Sequence, residues 1–533
     1  TYTSWVKIEV CRPTKREWQM GLMLELDING DEPLHVQVFE QVRDLILKGR
    51  LRPAAALPSS RVLAENLCIS RNTVLMGYER LAAEGYIESR GTAGTFVSSL
   101  LPDNLLQVSC TQPTAELTEE IEPKPVLCFA GSPGGDGSSG RPEIDFWVGR
   151  SAAESFPVRT WRKLLVQTLN SPDIHIADYS DPAGLLELRQ SIAGHLARSR
   201  GIAVDAEQIV VTSGSQDGLN LIHRLLQWRY KTIFVEDPCY QGAALLFQSL
   251  GIEVIPIPVD SFGLKVDELE QTKSSVVFVT PSHQFPTGVT LTLERRLQLL
   301  NWAEETGSLI IEDDYDSDVR YDGPPLTALA GLDNGRRVFY LGTFSKSLGA
   351  GLRLGYAVVP KPFDASTRQV KAFMDNGQPW LEQVVLSEFL KSGAFDRHLR
   401  RVRKIYKERR DHLIECLEEH FPETNIGGSE GGLHFIWRLP KHFPPASTIQ
   451  TRARSIGIGI YSLRSGAAIE LRERSPDNII ILGYSSVTKD NITRAVLELR
   501  KLIDGWETDK AKPLRKPGTA RRGGSRQKSK QRA

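Results

Sequence analysis

Six short apolar runs constrain the fold of this chain more than any other feature. They lie between residues 208 and 360 and read QIVVTSG, TIFVEDP, SVVFVTP, SLIIEDDY, RVFYLGT and LGYAVVP. Segments long enough for a helix separate most of the runs. Strands of four to six residues that alternate with helices indicate a largely parallel sheet. The pattern therefore predicts an α/β domain over residues 145–505.

The chain is too long for a single hydrophobic core, because it has 533 residues. Residues 98–144 contain TQPTAELTEEIEPKP and GSPGGDGSSGRP, which cannot bury enough apolar surface to become ordered, so we predict a flexible linker there. Residues 1–24 are expected to be a leader or an artefact and to be disordered. We predict a disordered basic tail over residues 506–533, where no acid follows Asp509.

Composition argues against several classes of protein. The net charge is +1, so only local patches could attract nucleic acid. Six cysteines lie far apart without a C-x-x-C pair, which argues against a metal site or a disulfide framework and fits a reducing cytosol. No apolar run of about 18 residues is present, so we expect a cytoplasmic protein without a membrane partner.

Residues 25–97 have a helical pattern that ends in a glycine-punctuated segment. Ser59 or Ser60 can cap a first helix that ends near Leu67, and a second starts with Arg71 after a three-residue turn, which is the arrangement of a helix-turn-helix. The second helix would present its N-terminal side chains to base edges, while its amides, Arg61 and Arg71 meet phosphates. The following YIESRGTAGTFV reads as a hairpin, or wing. An ordinary helical bundle is the alternative.

The segments LPSSR, SRNTV, EGYI and GTFV make the first interpretation more specific. In this order they closely resemble the winged helix-turn-helix of GntR-type bacterial regulators, over about 70 residues. The resemblance implies that the domain contacts double-stranded promoter DNA. The implied contact residues are Arg61, Ser70, Arg71, Asn72 and Thr73, with Arg90 and Gly91 at the wing.

One lysine of the α/β segment stands out. In TFSKSLGAGLRLGY, Lys346 follows the apolar run VFYLGTF, so it lies just past the carboxyl end of a strand, where open α/β sheets bind ligands. Thr343, Ser345 and Arg353 supply groups around it that can bind an anion. A surface lysine in a turn is the alternative.

Other strand ends carry polar groups as well. Asp313 ends the strand SLIIED, and Tyr315 points to the same face if the extended backbone persists, although the acids of EDDYDSD could instead form a helix cap. The turn 213–216 offers amides and hydroxyls to a phosphate, but such Gly/Ser turns are common. Tyr240 could stack on a ring or simply pack. Together these are the parts that a pyridoxal phosphate (PLP) site needs.

The order and spacing of these parts resemble fold-type I aminotransferases over about 350 residues. The matches are YSDPAGLLELRQSIAGHL, SGSQDGL, EDPCY, PTG, EDDY and TFSKSLGAGLRLGY. The resemblance implies PLP as cofactor, held by an internal aldimine on Lys346, with Asp313 on the pyridinium nitrogen and Tyr315 on O3′. It also implies a homodimer with sites at the subunit interface. The remaining implied cofactor residues are Tyr240 over the ring and Arg353, Ser215, Gln216, Thr343 and Ser345 on the phosphate.

The chain departs from this family in two respects. Phe285 stands where such enzymes have an asparagine before Pro-Thr-Gly, so the O3′ contact would rest on Tyr315, helped by Gln284 or His283. The arginine that clamps a carboxylate is not obvious. Arg464 is our candidate for the carboxylate of an effector, and a solvated loop arginine is the alternative.

A winged helix, a linker and an aminotransferase-like domain containing SHQFPTG, in that order, resemble the MocR family of bacterial transcription regulators. The resemblance implies a regulator that senses PLP itself, a small amine or an amino acid. An active aminotransferase with an appended DNA-binding module is the first alternative, so whether the chain is an enzyme stays open. An inactive α/β domain that only dimerises is the second. The basic tail would either add non-specific affinity for DNA or be merely solvated.

Overall fold

The computed structural model describes residues 24–28, 30, 32–99, 141–171, 176–270, 275–321, 326–472 and 475–511. The chain divides into two compact units, Thr1–Glu122 and Pro123–Ala533. The predictions of a leader, a flexible linker and a disordered tail fall almost entirely on residues outside the described ones.

The first unit is a small helical domain with a three-stranded sheet. Its elements are α1 (Leu34–Leu47), β1 (Ala56–Leu57), α2 (Ser60–Leu67), α3 (Arg71–Ala83), β2 (Ile87–Ser89) and β3 (Thr95–Val97). The strand β3 lies in the middle and pairs antiparallel with β1 and β2. Phe39, Leu63, Val74 and Leu81 are buried together in its core. The predicted winged helix-turn-helix is confirmed, and β1 adds a third strand to the predicted hairpin.

Serine caps begin both helices of the helix-turn-helix, α2 and α3. The hydroxyl of Ser59 accepts a hydrogen bond from the amide of Val62 (3.3 Å), and that of Ser70 accepts one from the amide of Thr73 (3.1 Å). Cys68 ends α2 in a left-handed conformation with φ 54°. Because each cap satisfies a helix amide that has no partner within its helix, the sequence can start α3 directly after the turn.

The second unit contains the remaining elements. Its helices are α4 (Val158–Leu169), α5 (Leu186–Arg200), α6 (Ser215–Leu226), α7 (Gln241–Ser249), α8 (Leu293–Thr306), α9 (Leu329–Asp333), α10 (Asp364–Asp375), α11 (Trp380–Lys391), α12 (Ala394–His420), α13 (Ala446–Ser455) and α14 (Lys489–Ala511). Its strands are β4 (Ile144–Asp145), β5 (Ile209–Thr212), β6 (Thr232–Asp237), β7 (Cys239–Tyr240), β8 (Glu253–Asp260), β9 (Gly263–Leu264), β10 (Val276–Val279), β11 (Leu309–Asp314), β12 (Val338–Thr343), β13 (Gly355–Val358), β14 (Asn425–Gly427), β15 (His434–Arg438), β16 (Ile458–Gly459), β17 (Tyr461–Ser462), β18 (Ala468–Ile469) and β19 (Ile479–Gly483).

An eight-stranded sheet forms the centre of this unit. Its strand order is β5-β13-β12-β11-β10-β6-β8-β9, and the neighbours from β12 to β8 are parallel, whereas β13 is antiparallel to both of its neighbours. Consecutive residues of β11 enter opposite cores: Ile310 packs in one with Leu196 and Trp302, and Ile311 in the other with Leu219. Helices therefore cover both faces, and the predicted, largely parallel α/β domain is confirmed.

A smaller part of the second unit has its own core. There α12, α13 and α14 pack on a sheet of order β14-β15-β19-β17, around residues such as Leu413, Trp437 and Ile492. The helix α14 continues to Ala511, past the predicted domain boundary at residue 505. Among the described residues, no helix combines the length and the apolar character needed to cross a membrane.

Candidate functional site

Lys346 lies on a single π-helical turn, Ser345–Gly349, directly after β12. Its amine lines a cavity of about 200 Å³ and donates a hydrogen bond to the carbonyl of Gly149 (3.0 Å). Burial, aided by the charge of Arg353, lowers the pKa of Lys346, although Asp316 and Asp313 act in the opposite direction. The lowered pKa favours the neutral amine, which is the nucleophilic form.

The carboxyl of Asp313 lies on β11 and faces the same cavity. It accepts one hydrogen bond, from the hydroxyl of Ser215 (3.2 Å). Burial raises the pKa of Asp313 to about 7, and Asp314 adds to the rise, whereas Ser215 and Lys346 oppose it. A buried carboxyl with a single donor would gain from a cationic N–H placed against it, since an opposite charge restores the ionised form.

A hydrogen-bonded chain behind Tyr315 fixes its hydroxyl. Tyr315 donates to the carbonyl of His283 (3.0 Å), and its oxygen lies 3.2 Å from His283 Nδ1. That nitrogen is bonded to Asp316 (2.8 Å), and the other ring nitrogen to the carbonyl of Gly428 (3.1 Å). Burial opposes protonation of His283, but Asp316 outweighs it and the pKa of His283 is raised. His283 thus positions Tyr315 from outside the cavity.

The proposed helpers of Tyr315 do not line the cavity. Gln284 is turned toward the backbone, where its amide donates to the carbonyl of Pro238 (2.9 Å) and to Glu236 (3.2 Å). His283 lies behind Tyr315. Instead, Thr280 and Phe285 form this part of the wall. The aromatic ring of Phe285 therefore lies where enzymes of this fold have a polar asparagine.

One end of the cavity is suited to an anion. The helix α6 begins there after Gly214, whose φ is +119°, and a Cβ at that position would lie 3.2 Å from the Arg353 guanidinium. Thr343 and Ser345 line the same cavity. Helix N-terminal amides and a guanidinium together match a phosphate group in charge and in donor geometry.

The opposite walls are suited to a planar ring. The rings of Tyr240 and Phe285 lie 6.0 Å apart and perpendicular to one another, and Val148 and Ala467 add apolar surface. With an amine, a buried carboxyl and an anion-binding end, the residues present fit PLP. The structure brings all the residues predicted from sequence to bind the cofactor to this cavity: Ser215, Gln216, Tyr240, Asp313, Tyr315, Thr343, Ser345, Lys346 and Arg353.

Sequence reasoning missed several lining residues. Val148 and Gly149 follow the predicted linker in the motif-free segment FWVGR, and Ala467 lies far along the chain. Only Thr280 carried a usable signal, because it is the polar residue at the end of β10. Gly149 matters most of these, since it supplies the carbonyl that holds Lys346.

Arg464 lies elsewhere. Its guanidinium bonds the buried carboxylate of Glu470 (3.3 Å) and the carbonyl of Ser475 (3.1 Å), and it is not among the described residues that line the Lys346 cavity. Its assignment to an effector carboxylate stays a prediction, and binding would require this ion pair to open.

The residues predicted to contact DNA surround the start of α3 and the wing. Arg71 and Asn72 are exposed in the first turn of α3, while Ser70 is used as the helix cap and is also bonded to the hydroxyl of Thr73 (2.8 Å). On α2, Arg61 is exposed and pairs with its helix neighbour Glu65 (3.2 Å). At the wing, Arg90 pairs with Glu88 (2.6 Å), and Gly91 has φ +58°.

Two families match this chain. Residues 34–97 match the bacterial regulatory proteins of the gntR family, and residues 148–462 match aminotransferase class I and II. These segments coincide with the helix-turn-helix unit and with the larger part of the α/β unit.

Similar proteins include whole-length regulators. The probable rhizopine catabolism regulatory protein MocR of Rhizobium meliloti is 32% identical over 505 residues, which are 94% of this chain and 100% of the relative. The HTH-type pyridoxine biosynthesis transcriptional regulator PdxR of Corynebacterium glutamicum is 32% identical over 487 residues, 90% of this chain and 98% of the relative.

Among solved structures, the kynurenine aminotransferase of Pyrococcus horikoshii in complex with PMP is similar to the second unit. It is 30% identical with a TM-score of 0.61, and the match covers 68% of this chain and 91% of that structure. The fold-type I architecture expected from the sequence is thereby confirmed.

Proposed function

We infer a function from the premise that this chain belongs to the MocR-type transcription regulators, in which a GntR-family helix-turn-helix precedes an aminotransferase class I and II domain. We propose that it binds promoter DNA through α3 and the wing. We further propose that the Lys346 cavity holds PLP covalently and senses either the cofactor itself or a small amine. Ligand binding there would shift the equilibrium between two conformations of a dimer and so change its affinity for DNA.

The observation that carries the proposal is the convergence of the cofactor residues on one cavity. When bound, PLP supplies an aldehyde carbon to which one amine after another can bond reversibly. Lys346 Nζ, whose pKa is lowered by burial, would be the nucleophile for that carbon, and Arg353 with the first amides of α6 would orient the phosphate. Asp313 favours a proton on the ring nitrogen, and the Tyr315 hydroxyl is held in place by His283.

The charges of the cavity favour sensing over turnover of amino acids. Lys346 and Arg353 are the only cationic side chains among its described lining residues, and the proposal uses both of them for PLP. No cation is then left in this set to clamp the carboxylate of an amino-acid substrate. An active aminotransferase remains the second candidate, since the Lys346 amine could also shuttle a proton.

An apolar stripe on α4 supports a homodimer. Val158, Val166 and Leu169 lie on one face of this helix and are 59%, 48% and 43% exposed. A second copy that covered this stripe would remove apolar surface from water. Val166→Asp should therefore shift the protein to a monomer in sedimentation analysis, and an unchanged dimer would contradict this part of the proposal.

The test follows DNA binding and the visible spectrum together. PLP-loaded protein is titrated with a panel of amines and amino acids while binding to a fluorescent promoter fragment is recorded. An effector should change the spectrum and the affinity for DNA over the same concentration range, because the coupling is reciprocal. The control is Lys346→Arg, which keeps the charge but cannot form the covalent link.

Other outcomes would contradict the proposal. Sustained conversion of an amino acid and a 2-oxoacid, without sequence-specific DNA binding, would establish the enzyme instead. A protein that shows no visible absorbance band after addition of PLP would have an α/β unit that only dimerises.

A further inference from the structure

A second cavity of about 430 Å³ lies where α5, α12 and the segment after β11 meet. We call it the basic cleft. It is larger than the Lys346 cavity, and Arg353 does not line it. The arginines of the basic cleft are Arg198, Arg200, Arg320, Arg400 and Arg403.

The charges of the basic cleft do not balance. Two carboxylates line it, Asp318 and Asp396. Asp318 is engaged with His195, whose Nε2 lies 3.2 Å from its oxygen, and Arg403 donates to the backbone carbonyl of Asp318 (2.5 Å). Arg200 is also paired with Asp314, so the other four guanidinium groups face two carboxylates, and the excess leaves a positive potential in a concave surface, which attracts anions.

Several donors of the basic cleft have no acceptor. The Nε atoms of Arg200 and Arg320 are buried without a hydrogen-bond partner, and Arg200 is only 5% exposed. Arg198 and Arg400 are exposed, and within the described part of the chain their side chains form neither a hydrogen bond nor an ion pair. Buried donors are normally satisfied, so an acceptor from a ligand would complete this arrangement.

We propose that the basic cleft binds a small phosphorylated metabolite through its phosphate group. The planar forks of several arginines match the oxygens of a phosphate dianion, which carries more charge than a single carboxylate. A cavity of about 430 Å³ also has room for an organic part beside the phosphate. This anion site is separate from the one that holds the cofactor.

The basic cleft is connected to the Lys346 cavity through Arg200. The Arg200 guanidinium forms an ion pair with Asp314 (2.6 Å), which directly follows Asp313 in β11. Arg200 and Lys346 also line one narrow gap. An anion that attracts Arg200 would weaken its hold on Asp314 and so change the field at Asp313. The expected coupling, which rests on the proposed function, is that occupancy of each site alters the affinity of the other.

Pyrophosphate serves as the probe, in a calorimetric titration of PLP-saturated protein, so that the phosphate end of the Lys346 cavity is already filled. We expect one site per chain. Arg320→Gln and Arg400→Gln should each weaken binding by about tenfold or more, the loss expected for a charge-assisted hydrogen bond. The matched control is Arg397→Gln, an exposed arginine of α12 that does not line the basic cleft and should bind normally.

Three results would overturn the proposal. The first is no binding of pyrophosphate, or binding that R397Q weakens as much as R400Q. The second is equally tight binding of citrate, which would show a preference for polyanions rather than phosphate. The third is competition by a short random DNA duplex that depends on Arg400, which would make the nucleic-acid backbone the ligand. If PLP fails to saturate the protein, the same variants are titrated with pyrophosphate in the absence of PLP, and the same results support or overturn the proposal.

Discussion

The carbonyl of Gly149 and the amine of Lys346 give the sharpest prediction of how the cofactor cavity is built. Gly149 has φ +81°, and a Cβ added there would lie 2.4 Å from Lys346 Nζ and 3.2 Å from its Cε. In Gly149→Ala the lysine must retreat by about 1 Å to reach an ordinary van der Waals separation. The hydrogen bond from Nζ to the Gly149 carbonyl would then be lost.

Two effects of different size follow. A non-glycine residue in this left-handed region costs about 1–2 kcal/mol, so the free energy of unfolding should fall by roughly that amount. Displacement of the reacting amine should slow the covalent capture of PLP more strongly, by about tenfold to a hundredfold, because an error of about 1 Å is large on the scale of a reactive contact.

Stopped-flow absorbance after addition of PLP measures the capture rate, and thermal unfolding of the apoprotein measures the stability. The matched control is Gly351→Ala in the same segment as Lys346, since a Cβ at Gly351 meets no atom within 4 Å. If G149A captures PLP as fast as G351A and the unchanged protein, Gly149 does not place the lysine and the reasoning is wrong.

Three further predictions concern charge and capping. Because burial raises the pKa of Asp313 to about 7, the folded apoprotein retains a proton that the unfolded chain has already released. The stability of the apoprotein relative to Asp313→Asn should therefore fall as the pH rises from about 4 to about 7. A difference in melting temperature between the two proteins that does not vary with pH would contradict this. Ser70→Ala should cost the helix-turn-helix unit about 1 kcal/mol in chemical unfolding, whereas Ser70→Asp should keep the cap and weaken only DNA binding; equal stability losses would show that the hydroxyl is no cap. Arg71→Gln should reduce the slope of log affinity for DNA against log salt concentration by about one unit. The control Lys48→Gln, which removes an exposed charge paired with Asp44, should leave this slope unchanged. Equal slopes for the two variants would place Arg71 away from the phosphates.

Short-range patterns carried most of the architecture. The apolar runs predicted the strands β5, β6, β10, β11, β12 and β13 because burial on both faces of a sheet requires continuous apolar sequence. The turn before Arg71 was readable because a cap and the amide it satisfies lie three residues apart. The polar residues at strand ends were readable for a similar reason, since parallel strands bring their carboxyl ends to one edge.

The sequence pattern did not determine which residues become partners in hydrogen bonds and ion pairs. The sequence offered Ser59 and Ser60 equally as the cap of α2, and in the structure Ser59 is the cap. Gln284 was a candidate helper of Tyr315, yet its amide is bonded to Pro238 and Glu236 instead. Arg464 followed a strand as a substrate-binding arginine would, but Glu470 engages it.

The sequence by itself determined the winged helix, the α/β unit and the nine residues predicted to bind the cofactor in the Lys346 cavity, because each depends on local periodicity or on the ends of strands. Only the tertiary structure placed the Gly149 carbonyl against an amine 197 positions along the chain. It alone gathered arginines from α5, α12 and the segment after β11 into the basic cleft. Such sites depend on the packing of whole helices against a sheet, and no local pattern records which arginines that packing will bring together.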